Sequence, residues 1–173
     1  MRAYTCAVCA LVAFALAASP ARAQNARPVE VTPYVAVGSA GAFPFGVAVT
    51  FPVTSTLSVE TDVAYRHGDG NLNLLSSSAS LLYSLPRVGK ATPYLAAGLG
   101  LSQYGAPVFA STGPPIGTQK DVAVTVNAGG GLKMPMNDKM DLRTDARWFN
   151  ALGRYGAEQF RVAQGVSFDV RKR

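Results

Sequence analysis

The stretch Lys139-Met-Asp-Leu-Arg-Thr-Asp-Ala-Arg-Trp-Phe-Asn150 decides how the rest of the chain is read. Taken two residues at a time, one set is Met140, Leu142, Thr144, Ala146 and Trp148, and the other is Asp141, Arg143, Asp145 and Arg147. Successive side chains of a β-strand point to opposite faces, so this is a strand with one apolar and one ionic face. A helix would scatter the four charges around its circumference. A soluble sheet turns its apolar face inward, whereas a membrane barrel turns it toward lipid. The stretch fits both senses, and its surroundings choose between them.

Upstream, the same alternation recurs. Residues 30–38 set Val31, Val35 and Val37 (with Val29 before them) against Thr32, Tyr34, Ala36 and Gly38. Residues 43–51 set Phe43, Phe45, Val47, Val49 and Phe51 against Pro44, Gly46, Ala48 and Thr50. Residues 57–67 set Leu57, Val59, Thr61, Val63 and Tyr65 against Ser58, Glu60, Asp62, Ala64 and Arg66. A serine-rich fourth segment, residues 71–84, has no clear facing. Residues 92–104 set Leu95, Ala97, Leu99 and Leu101 against Tyr94, Ala96, Gly98, Gly100 and Ser102. Residues 121–133 set Val122, Val124, Val126, Ala128 and Leu132 against Asn127, Gly129, Gly131 and Lys133. Downstream of the opening stretch, Phe160, Val162, Val166, Phe168 and Val170 oppose Arg161, Ala163, Gly165, Ser167 and Asp169, with Gln164 a polar blemish on the apolar side. Turn residues punctuate the segments, and residues 105–119, with Pro107, Gly113, Pro114, Pro115 and Gly117, form the longest connection. The pattern gives eight segments of roughly 9 to 13 residues, near the 9 to 11 that a tilted strand needs to cross a bilayer. The expected fold is all-β, an eight-stranded antiparallel up-and-down transmembrane β-barrel.

Residues 1–23 carry an export signature. Arg2 is followed by an apolar run over residues 7–18 and by Ala21-Arg22-Ala23, so cleavage before Gln24 is expected, leaving residues 24–173 as one barrel domain. That run is short of the roughly 20 residues of a membrane-spanning helix. Both cysteines, Cys6 and Cys9, leave with it, and the exported chain then holds itself together without disulfides or a cysteine metal site. Loss of Arg2 and Arg22 takes the formal charge from +6 to +4. The remaining excess is dispersed apart from Arg171-Lys172-Arg173, which speaks against nucleic acid as a partner.

Two features select the membrane sense. The face opposite the apolar one is filled by small residues and by charges of balanced sign: Glu60, Asp62, Asp141, Asp145 and Asp169 against Arg66, Lys133, Arg143, Arg147 and Arg161. A soluble ligand-binding barrel fills its interior with large apolar side chains instead. Aromatic residues also gather at segment ends, with Phe51, Tyr83, Tyr94 and Phe168 on one side and Phe43, Tyr65, Tyr104, Trp148, Tyr155 and Phe160 on the other. Two such girdles mark the headgroup zones. The expected ionic pairs are Lys133 with Asp141 and Asp145 with Arg161, on a rung that aligns Asn127 with Arg147.

The segments Thr92-Pro-Tyr-Leu-Ala-Ala-Gly-Leu-Gly-Leu-Ser102 and Val126-Asn-Ala-Gly-Gly-Gly-Leu-Lys133, followed by Met140-Asp-Leu-Arg-Thr-Asp-Ala-Arg-Trp-Phe149, resemble the outer-membrane β-barrel domain family, which includes the transmembrane domain of outer-membrane protein A. The resemblance implies a Gram-negative outer-membrane barrel without a cofactor, monomeric, surrounded by outer-membrane lipid and lipopolysaccharide. It also implies the barrel-assembly machinery and periplasmic chaperones as partners during biogenesis. Members commonly end on an aromatic residue, whereas here Phe168 is followed by Asp-Val-Arg-Lys-Arg173.

The expected role is structural, in envelope integrity, with the lumen charges plugging the barrel or, if their pairs rearrange, passing small ions. Surface binding through residues 105–119 is the first alternative. A lipid A-modifying enzyme is the second, resting on His67, the single histidine. His67 sits in a Gly-Asp-Gly turn without a positioned nucleophile, so no catalysis is expected. With one histidine and no cysteine after residue 23, zinc is not expected either. Gly129-Gly-Gly131 before Lys133 lacks the following Ser or Thr and the helix of a phosphate loop.

Overall fold

A computed structural model describes residues 28–39, 43–68, 72–109, 115–152 and 158–170 of the chain. Among them, eight strands close into an all-antiparallel barrel in sequence order. They are β1 (Val29–Gly38), β2 (Phe45–Pro52), β3 (Leu57–Gly68), β4 (Leu72–Ser84), β5 (Thr92–Phe109), β6 (Pro115–Asn137), β7 (Met140–Leu152) and β8 (Glu158–Val170). β1 and β8 seal the cylinder through pairs from Val29↔Val170 to Gly38↔Arg161. Closure removes every free edge along the barrel wall, which is how an all-β chain avoids edge-to-edge association. Thr32 and Pro33 drop out of the β1–β8 ladder, because proline has no N–H to give it.

The interior is set by alternation. Ala36, Ala48, Ala64, Ala96 and Ala163 are buried inside, while Val35, Phe45, Leu81, Leu99 and Val124 lie exposed on the outer wall. The facing of β4, ambiguous in the sequence, is now fixed by its neighbours. Leu74, Ser80 and Leu82 are buried inside, and Leu75, Leu81 and Tyr83 point out.

Two glycines are required by close approach. The Tyr34 ring lies over Gly46, where an added Cβ would sit 2.6 Å from Cζ. The Tyr94 ring lies over Gly131 in the same way, at 2.7 Å. Each strand thus supplies a bare backbone that a tyrosine's phenol approaches closely.

One expectation is corrected here. Residues 105–119 are not chiefly a loop: β5 and β6 stay paired from Gly105↔Lys120 to Phe109↔Pro115, with a register shift between Val108 and Phe109. β4 stops pairing with β5 at Asn73↔Gly105, and β7 stops pairing with β6 at Val124↔Leu152. Above those points the two strands continue as a ribbon that, among the described residues, pairs with no third strand, a setting in which Pro107 is tolerated. Proline and glycine there read as a loop in sequence, but β-pairing carried through them. Residues 110–114 at its tip, the expected signal at residues 1–23 and the basic end at residues 171–173 lie outside the described residues.

Candidate functional site

The mid-barrel lumen is occupied by three carboxylates and three guanidiniums. They lie on three strands that the topology sets around the interior: Glu60 and Asp62 on β3, Arg143, Asp145 and Arg147 on β7, and Arg161 on β8. All six are buried, Glu60 and Arg147 to 1% exposure. Period-two alternation alone puts Arg143, Asp145 and Arg147 on one line inside β7.

Glu60 is the hub. It accepts from Arg143 Nη1 and Nη2, the latter at 3.1 Å, from Arg147 Nη2 at 2.6 Å, and from the Thr50 hydroxyl at 2.8 Å. Asp145 bridges the same two arginines, accepting from Arg147 Nη2 at 3.0 Å and Arg143 Nη2 at 3.3 Å, with Arg147 Nε 2.8 Å from its second oxygen. Around this centre stand two like units, each a tyrosine, an aspartate and an arginine. Tyr94 donates to Asp145 at 2.5 Å and accepts from Arg143 Nε at 2.8 Å, with the guanidinium 4.9 Å from its ring centroid. Tyr34 donates to Asp62 and accepts from Arg161 Nη1 at 2.8 Å, with that guanidinium also 4.9 Å from its ring centroid. The Arg161 guanidinium also lies over the Phe149 ring, 4.8 Å from its centroid. Burial of a charge is costly unless it is paired and hydrogen-bonded; here Glu60, Asp145, Arg143 and Arg147 each meet two charges of opposite sign, and Asp62 and Arg161 meet each other and Tyr34.

The network fills the lumen. Only about 20 Å³ of void is left among Thr32, Tyr34, Glu60, Asp62, Arg143 and Arg161, room for one or two waters. A cavity of about 190 Å³ lies at the end of the barrel where residues 28 and 170 meet, lined by Glu30, Arg87, Lys133, Asp141 and Asp169 among others. One of about 40 Å³ lies toward the ribbon end, lined by Arg66, Tyr104 and Gln159 among others.

Of the ten charged residues singled out in the sequence, six form the central network. Lys133 lies nearer the terminal end and pairs with Glu30 across the lumen. Asp141 and Asp169 line the terminal-end cavity and Arg66 the ribbon-end one. Both expected pairings are corrected. Arg147 lies opposite Gly129, not Asn127; Lys133 lies opposite Arg143 and Asp141 opposite Pro135. On β8, Arg161 is opposite Arg147 and Asp145 opposite Ala163, and Arg161 reaches Asp62 instead, at 3.3 Å. On β6–β7 the cause is a tight turn that pairs Asn137 with Met140 and shifts the assumed rung by two residues, and the β7–β8 rung is likewise displaced by two. A two-residue shift preserves facing and changes only partners.

Two of the expected girdle residues are also corrected. Tyr94 is buried in the lumen network, and Tyr104 lies on the same face of β5, where its hydroxyl receives Gln159 at 3.4 Å. The remaining described girdle positions lie on the outer wall: Phe51, Tyr83 and Phe168 at the terminal end, and Phe43, Tyr65, Trp148 and Phe160 at the other. Tyr65 meets Phe45 edge-on at 5.7 Å. Tyr155 lies outside the described residues. Sequence reasoning missed Glu30, Tyr34, Thr50, Ser80 and Phe149 as lumen partners. All share the inward phase of their strands, which was the available signal.

Against solved structures the chain is similar to the N-terminal β-barrel domain of Pseudomonas aeruginosa OprF, at 18% identity and TM-score 0.62 over 84% of this chain and 98% of that one. It is similar to Neisserial surface protein A at 16% identity and TM-score 0.62, over 82% and 94%. Ail, the attachment invasion locus protein of Yersinia pestis, matches at 12% identity and TM-score 0.56, over 84% and 99%. The fold is that of the small outer-membrane β-barrels. No family model and no curated protein matches the sequence. In outer-membrane-type barrels generally, the outward apolar band faces lipid and the interior is polar.

Proposed function

We propose that this chain is a small Gram-negative outer-membrane barrel with a structural, non-enzymatic role in the envelope and a bore closed by its own side chains. The observation that carries the reading is the neutral six-residue cluster at mid-lumen, which leaves room for one or two waters. A cleaved leader over residues 1–23 would bring it to the periplasm, where chaperones and the barrel-assembly machinery would insert it among outer-membrane lipid and lipopolysaccharide. The end holding both described chain termini would face the periplasm. The non-enzymatic part of the reading is supported at His67, which is exposed and whose Nδ1 engages Asn73 at 2.7 Å.

The test has two arms. Detergent-extracted protein should migrate faster on a gel before boiling than after, as compact barrels do. In planar bilayers the wild type should show no steady conductance; open channels of constant size would sink the plug. A His67→Ala variant that altered lipid A in its host would overturn the non-enzymatic reading.

A second reading is favoured by one observation, the β5–β6 ribbon that continues beyond its neighbours. It would present residues 105–119 for surface binding. Deleting residues 106–118 should then abolish attachment to host cells while leaving gel migration unchanged.

A further inference from the structure

Gln164 faces outward in the middle of β8, four residues from Phe168 at one aromatic girdle and four from Phe160 at the other. With a strand rise of about 3.3 Å and a tilt of about 40°, that places it roughly 10 Å from either girdle, the deepest level of an apolar band about 25 Å tall. Polar groups at that depth are costly and mark sites of function. Its amide oxygen accepts from the Thr144 hydroxyl of β7 at 2.8 Å. A carboxamide has two N–H donors as well, and among the described residues neither has a partner. Beside it, Thr144, Ala146 and Gly130 lie on adjoining strands and raise no bulky side chain above the backbone. Leu132 and Val35 border this low area.

We propose that the outer face of β6, β7 and β8 around Gln164 is the contact surface for a second copy of this chain within the membrane. The proposal rests on the lipid-facing reading above and departs from the monomer expected from the sequence. A lipid tail accepts no hydrogen bond, and the sugars and phosphates of lipopolysaccharide lie at headgroup level. A carboxamide is self-complementary: two related by a two-fold axis give and receive reciprocally, as an isologous contact requires. Small residues flanking a polar one are also what lets backbones approach closely in lipid, where burial of apolar surface drives nothing.

The experiment uses the protein inserted in phosphatidylcholine vesicles, with Cys6 and Cys9 replaced by serine. Single thiols are introduced as Val162→Cys, beside Gln164, or Leu99→Cys, on the far wall, and a short bismaleimide is added. Dimer is expected from Val162→Cys and not from Leu99→Cys. In detergent, sedimentation equilibrium should show Gln164→Leu weakening the dimer at least about ten-fold, with Ser77→Leu on β4 leaving it unchanged. A monomeric wild type, equal cross-linking at both thiols, or equal effects of Gln164→Leu and Ser77→Leu would overturn the proposal. Gel migration before boiling separates the two claims: a chain that does not insert defeats the membrane reading, and an inserted monomer defeats only the dimer.

Discussion

At the residue scale, the interior is an exercise in pairing. Arg147 touches Glu60 and Asp145 and is 1% exposed, so Arg147→Leu leaves two buried carboxylates with one arginine between them. Breaking a buried pair from one side costs about 3–5 kcal/mol, and urea unfolding from vesicles should register a loss of that order. Replacing all of Glu60, Arg143, Asp145 and Arg147 by apolar residues of similar volume should cost less than the single change, since no charge is stranded. A wild-type transition in Arg147→Leu would mean that water already solvates these groups. Arg161→Leu should behave likewise, freeing Asp62 and removing the cation that lies over the Tyr34 and Phe149 rings. What the sequence showed of this site was facing. Arg143, Asp145 and Arg147 share a phase with Glu60 and Asp62 that any period-two reading finds. Partner choice was hidden, because it depends on strand register and on diagonals across the lumen. Tyr94 shows the point: its place at a strand end suggested a girdle, while its phase already aligned it with Ala96 and Gly98 inside.

At the element scale, each strand carries two faces of opposite character. β5 exposes Leu95 and Leu99 while burying Tyr94, Ala96 and Ser102, and β4 needs β3 and β5 beside it to settle which leucines go inside. Arginine on the outer wall should therefore be expensive by depth. Leu99→Arg, at the middle of β5, should cost about 2–4 kcal/mol in vesicle-based unfolding, and Val170→Arg at the rim about 0–1. Equal and negligible costs would contradict a lipid face. The two tyrosine–glycine contacts make a separate prediction. Gly46→Val and Gly131→Val drive a side chain into the phenol of Tyr34 or Tyr94, a clash worth about 1–3 kcal/mol. Pairing Gly46→Val with Tyr34→Ala should recover part of that loss. Strand existence was legible throughout, because alternation sustained over ten residues has few other causes. The ribbon of residues 105–119 was not, since its prolines and glycines argue locally for a loop and only its paired neighbour argues for a strand.

At the scale of the whole molecule, the arrangement is an inversion, with apolar side chains on the outer wall and a charge-balanced, water-poor cluster at the centre. Cooperative closure through β1 and β8 follows, because no strand can leave without exposing both the cluster and two ladders of backbone groups. The single tryptophan, Trp148, reports on this directly: it sits on the outer wall beside Phe160 at 39% exposure, at a position expected to lie in a girdle. The decisive measurement is fluorescence of Trp148 in the unmodified protein inserted into vesicles whose acyl chains carry bromine. Strong quenching by the brominated chains, with little quenching by aqueous iodide, is expected of a ring held against lipid. Quenching by iodide with none from the brominated chains would contradict the inversion and require a soluble barrel in its place.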